Sequence, residues 1–215
     1  MTTANDSTCQ QRSDAYRLLA ACFCEPEREM FIEESLCANL AGLMDGLSIP
    51  AGELFRKMDK EMREKEQQEL LVEYSALFLG PAEILAQPFG SVYLDREGLV
   101  MGDSTMAVKK IHAEAGVKFE EDGLPDHIAV ELEFMSFLEG KIAEAEAVGN
   151  QEDLADFSAI ESRFFHPYLA AWAPKFADLI GKHSKLDYYR ALAEALAAFI
   201  AAEQQRISRP APVNP

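Results

Sequence analysis

An all-α fold of about 8–11 helices follows from three observations. Apolar residues recur at helical spacing along most of the 215 residues. Ser, Asp, Gly and Pro stand where those stretches begin and end. Only "VYLDREGLVM" alternates in the manner of a strand pair, and it reads equally as an extended loop. With 48% hydrophobic and 27% charged residues, the chain can fill the core of one helical-bundle-like domain, open to division into two lobes.

Ser13 or Asp14 is placed to cap a first helix carrying Tyr16, Leu19, Ala20 and Phe23, which stops before Pro26. A second runs through Phe31, Leu36, Leu40 and Leu43 to Gly46. Residues 53–79 give one long helix or two, with Phe55, Met58 and Met62 followed by Leu70, Tyr74, Leu77 and Phe78, and Gly80-Pro81 ends them. The segment "GPAEILAQPFGSVYLDREGLVMGDST" has no long helical period, and "VYLDREGLVM" within it forms a hairpin around Asp95–Gly98 or stays extended. Ordered loops of this length are uncommon unless they have a function. Asp103 or Ser104 then caps a short helix to Ala115, closed by Gly116. After "GVKFEEDGLPD" a long helix reaches Gly149-Asn150, and helices near 151–165, 168–181 and 184–206 complete the set, with Pro167 and Pro174 at boundaries or first turns. The division is an N-terminal lobe of about 10–116, a hinge at 117–126, a C-terminal lobe of 127–206 and a disordered tail, 207–215.

Formal net charge is −17. A surface this acidic repels phosphate backbones and anionic headgroups, which speaks against nucleic acid and membrane partners and for a basic one. The opening "MTTANDSTCQQRSD" lacks the apolar run of a secretory signal, and no stretch approaches the ~20 apolar residues of a membrane span. Cys9, Cys22, Cys24 and Cys37 are therefore expected as reduced thiols in the cytoplasm, mostly in the core. Cys22 and Cys24 would point to opposite sides of a helix, a poor arrangement for zinc.

The stretch "LPDHIAVELEFM" sets the chemical question. At ~100° per residue, Ile128, Leu132, Met135, Leu138 and Ile142 share one face, and His127 and Glu131 fall inside the same sector. A helical di-iron site needs Glu-x-x-His motifs, and neither this nor HExxH occurs. Gly140-Lys141 and Gly181-Lys182 lack the upstream glycine of a phosphate loop. The structural reading makes Asp126 the helix cap and His127–Glu131 a hydrogen-bonded pair. A cap beside a groove can also meet a ligand, so the two roles of Asp126 are compatible.

The motifs "LFLGP", "PFGSVYLDREG", "GDST" opening one helix and "PDH" opening the next resemble the redox-enzyme maturation chaperones of the TorD/DmsD/NarJ family. The stretch "PFGSVYLDREGLVMGDST" is most similar to the DmsD branch. The resemblance implies an all-helical cytoplasmic chaperone with no cofactor and no catalytic activity. It would bind the twin-arginine signal peptide of a molybdopterin oxidoreductase precursor of the dimethyl sulfoxide reductase type, and delay export until cofactor insertion and folding. The alternative is a helical metal- or nucleotide-dependent enzyme. Carried over by motif, the peptide-binding residues are Tyr74, Leu77 and Phe78 on the apolar side and Pro88, Phe89, Gly90 and Tyr93 on a loop wall. Gly102 would let backbone pass close by, and Pro125, Asp126 and His127 would form the groove edge, with Asp126 a partner for arginine. The chain departs from the DmsD branch in having Tyr74, Ala82, Phe89 and Tyr93 where that branch favours tryptophan, and Gly-Leu-Pro-Asp-His at the hinge. The family implies a monomer or a domain-swapped dimer.

Overall fold

The computed structural model describes residues 4–80, 84–96, 98–118 and 124–208, with the side chains of 4–7 left aside. Part of the predicted hinge, residues 119–123, and the tail from 209 lie outside the described residues. The described helices are α1 (Ala4–Ala21), α2 (Arg28–Glu33), α3 (Leu36–Gly46), α4 (Gly52–Glu64), α5 (Gln67–Tyr74), α6 (Gly90–Leu94), α7 (Asp103–Glu114), α8 (Ile128–Val148), α9 (Gln151–Phe164), α10 (Ala170–His183) and α11 (Asp187–Ile207). Two π-turns, Ser75–Leu79 and Phe165–Leu169, continue α5 and join α9 to α10. Among the described residues there is no strand, and none of the helices is long and apolar enough to cross a membrane.

Helix α8 buries the stripe read from its spacing: Ile128, Leu132, Met135, Leu138 and Ile142 are all core residues. It packs along α1 and α9, while α11 packs on α4 and α10. Tyr16, Phe55, Phe134, Trp172 and Phe199 belong to one continuous core, so elements on both sides of residues 117–126 share it. Cys9, Cys22 and Cys37 are buried free thiols and Cys24 is exposed. Burial pushes the Cys9 and Cys37 thiols up to about 12, which leaves both unreactive.

Several boundaries differ from the sequence reading. Helix α1 starts well before Ser13 and Asp14; the Ser13 hydroxyl bonds Ser136 on α8 and does not cap. The 53–79 stretch, read as one helix or two, is two, because a capping box of Glu66 and Glu69 starts α5 afresh. Among the described residues the hairpin is absent, and residues 92–94 of that stretch complete the one-turn helix α6. The Phe165–Leu169 π-turn contains Pro167, whose nitrogen cannot donate back to Arg163, so the turn widens. Pro174 lies one turn inside α10, not at its start; the bond it cannot make is to the carbonyl of Ala170, the helix's first residue.

A buried ionic cluster ties the far end of the bundle. Arg206 Nη2 donates to Glu139, Glu161 and Glu203 at 2.5, 2.6 and 2.6 Å, and Arg12 reaches Glu203 from α1 at 3.1 Å. Three carboxylates face two guanidiniums there. Burial, with Glu161 and Glu203 nearby, holds the Glu139 carboxyl well above the usual range despite Arg206.

Candidate functional site

The irregular segments meet at one place, the start of α8. The Gly90 amide donates to Asp126 O and the Ile128 amide to Pro88 O, each at 2.8 Å. These bonds pair Phe89 with His127 as an isolated antiparallel bridge, with their rings edge to face 5.2 Å apart. The PFG and PDH motifs are thus zipped together by backbone.

Asp126 reinforces the zip. Its Oδ2 accepts from the Ser91 amide at 2.9 Å and from Thr105 Oγ1 at 3.0 Å, so one carboxylate oxygen joins α6, α7 and the entry to α8. Asp126 is 1% exposed. It does not cap α8, as the sequence reading had it; His127 is the cap, its Nδ1 accepting from the Ala129 amide at 3.2 Å. Asp126 stands one residue too early for that role and caps α6 across the fold. Burial lowers the His127 pKa, against the pull of Asp126, and an unprotonated Nδ1 is what the cap requires.

The His127 and Glu131 side chains do not bond each other either; the two residues meet only through the Glu131 amide, which donates to His127 O at 2.9 Å. Glu131 Oε2 accepts from Trp172 Nε1 of α10 at 2.9 Å, and Oε1 has no hydrogen-bond partner among the described residues. Complete burial raises the Glu131 pKa well above the carboxylate range; the Trp172 bond opposes this and nearby Asp126 adds to it. Gly90 passes against this pair: a Cβ there would lie 2.9 Å from Trp172 Nε1 and 3.2 Å from Glu131 Oε1. Only a residue without a side chain fits.

An aromatic line runs from this point. Tyr93 stacks on Trp172 at 5.4 Å and meets Phe176, which contacts Phe78, which meets Tyr74 edge-on at 5.2 Å. Of the residues carried over by motif, Phe89, Tyr93, Gly102 and His127 keep partial exposure. Tyr74 is nearly covered, and Leu77, Phe78, Pro88, Gly90, Pro125 and Asp126 are buried. Leu77 and Phe78 have no surface to offer in this conformation.

Beyond α6 the chain closes a loop. Asp95 accepts from the Ser104 amide and hydroxyl, the latter at 2.9 Å, and so supplies the α7 cap expected from Asp103 or Ser104. A Cβ on Gly102 would fall 2.0 Å from Asp95 Oδ2, so this contact requires glycine. Ser91, Asp95, Thr105 and Trp172 also belong to this site, although no sequence motif marks them as binding residues. Ser91, Asp95 and Thr105 stood inside the quoted motifs, and Trp172 is the only tryptophan of the chain. Among the described residues no group of three or more His, Cys, Asp or Glu side chains is placed to hold a metal ion.

The family model for the nitrate reductase delta subunit matches residues 41–178, well over half of the chain. The chain belongs to the TorD/DmsD/NarJ family of redox-enzyme maturation chaperones. Among relatives of this chaperone, TorD of Vibrio parahaemolyticus is 25% identical over 88% of this chain and 91% of its own. The Tat proofreading chaperone DmsD of Salmonella typhi is 28% identical over 66% and 64%. Both names recur among the relatives, so the comparisons do not separate the DmsD branch from the TorD branch. A crystal structure described as a redox enzyme maturation protein from Archaeoglobus fulgidus shares the fold, with TM-score 0.55 and 21% identity over 88% of this chain and 93% of that one. Membership sets aside the enzyme alternative: the protein is a chaperone in redox-enzyme maturation.

Proposed function

We propose that this chaperone acts in the cytoplasm on the twin-arginine signal peptide of a molybdopterin oxidoreductase precursor of the dimethyl sulfoxide reductase type. It holds the precursor back from export until the cofactor is inserted and the enzyme has folded. The observation that carries the reading is the junction at the start of α8, where the PFG, GDST and PDH motifs, which resemble those of this chaperone family, converge beside the partly exposed Phe89 and His127. A net charge of −17 suits a partner whose recognition element is basic. Within the site, Phe89, Tyr93, His127 and the backbone at Gly102 make the direct contacts, with the edge of Tyr74 extending them. Leu77, Phe78, Pro88, Gly90, Pro125 and Asp126 shape that surface from beneath.

Titration calorimetry tests the proposal, using a synthetic leader with an Arg-Arg pair ahead of an apolar segment and a control with Gln-Gln in its place. The reading predicts saturable binding of the first and at least tenfold weaker binding of the second. Equal affinity for the two, or no binding of the first, would contradict it.

A further inference from the structure

Half of the large exposed hydrophobic side chains among the described residues lie in one short stretch: Leu99, Val100, Met101 and Met106, four of eight. Leu99, Met101 and Met106 are each more than 60% exposed. Soluble proteins rarely gather such residues on their surface except where a partner covers them. The stretch is also held in place. Asp95 and Ser104 close its base, Gly102 admits that contact, and Met101 sits at φ 66, a left-handed backbone that a methionine seldom adopts.

Leu94, Asp95, Arg96 and the run Leu99 to Asp103 wall a concavity of about 520 Å³. It is continuous with the site described above: Gly102 belongs to both, Leu94 follows Tyr93, and Thr105 bonds Asp126. We infer that Leu99, Val100, Met101 and Met106 form the docking surface for the apolar segment of the client's leader, with the basic segment meeting the neighbouring Phe89–His127 edge. The inference deepens the leader-binding reading and rests on it.

Charge decides between occupants. A second copy of a chain carrying −17 is repelled, as is an anionic bilayer, whereas an apolar segment that follows two arginines is drawn in. The side chains suit that occupant. Methionine is flexible and polarisable, and it adapts to apolar segments whose exact sequence varies.

The test compares wild type with the triple variant Leu99→Ser, Met101→Ser, Met106→Ser in calorimetric titrations. One synthetic peptide carries the basic and apolar segments, and a second is cut back to the basic segment. The inference predicts that the variant loses at least tenfold in affinity for the full leader, or 1.4 kcal/mol, and nothing for the short peptide. Undiminished binding of the full leader would overturn it. If wild type binds neither peptide, the leader-binding reading itself fails and takes this one with it. A dimer in sedimentation velocity that the variant abolishes, or wild-type co-flotation with phosphatidylglycerol vesicles that the variant loses, would reassign the surface and overturn the inference. Should the triple variant melt below wild type, the single Leu99→Ser and Met106→Ser variants carry the comparison.

Discussion

Asp126 serves three segments through one oxygen, and its replacement should be felt first in stability. Asp126→Ala leaves the Ser91 amide and the Thr105 hydroxyl without their buried acceptor. Each buried group left unpaired costs roughly 1–3 kcal/mol, so urea unfolding should report a loss of about 2–6 kcal/mol for the two. Asp126→Asn keeps an acceptor oxygen and should lose less. An alanine variant as stable as wild type would refute the clamp. A second residue-scale prediction concerns acid. His112 is buried and stacked on Phe134, and desolvation pushes its pKa down to about 4. A depressed histidine pKa contributes stability that is present above the unfolded value, near 6.5, and is lost as pH falls toward 4. The loss amounts to about 3 kcal/mol, and His112→Phe should remove that part of the pH dependence. Glu131 and Glu139, both raised, work the other way: their contribution is complete below about 4.5 and fades as pH rises through their folded values. Only paired measurements on wild type and variant therefore isolate the histidine. At this scale the sequence was informative about position and poor about partners. Helical spacing placed Glu131 in the buried sector of α8. Its partner, Trp172, stands 41 residues on, across a helix pairing that no local spacing encodes.

Helix α6 and the loop after it show why short elements escape a sequence reading. Five residues span barely more than one turn, too few for a helical period to appear, and α6 takes its cap from a carboxylate 35 residues away. The long helices α8 and α11 were legible because their apolar stripes repeat over 21 residues each. Gly102 gives the element-scale prediction. Gly102→Ala would drive Asp95 off Ser104 and uncap α7. The loss of a cap costs about 1 kcal/mol, which lowers Tm by about 2–4 °C in a chain of this size. A melt unchanged from wild type would show that the loop does not depend on this contact.

For the whole molecule, the ionic cluster at Arg206 joins α1, α8, α9 and α11 at the end of the chain. Arg206→Met should cost on the order of 3 kcal/mol, because it strands buried carboxylates. The deficit should shrink on acidification as those groups take up protons, and guanidinium unfolding at two pH values reads both effects. The all-α architecture was legible from periodicity alone. The convergence of distant motifs at the start of α8 was not, since it depends on backbone pairing between Pro88–Gly90 and Asp126–Ile128.

We propose that the client's leader meets the chaperone at that convergence. The most direct measurement is photo-crosslinking, with a benzophenone placed beside the Arg-Arg pair of a leader peptide and the adduct mapped by mass spectrometry. The account predicts adducts within residues 84–106 and 125–127. Adducts confined to the larger groove between α1 and α3, at Leu18, Met30 or Leu43, would contradict it.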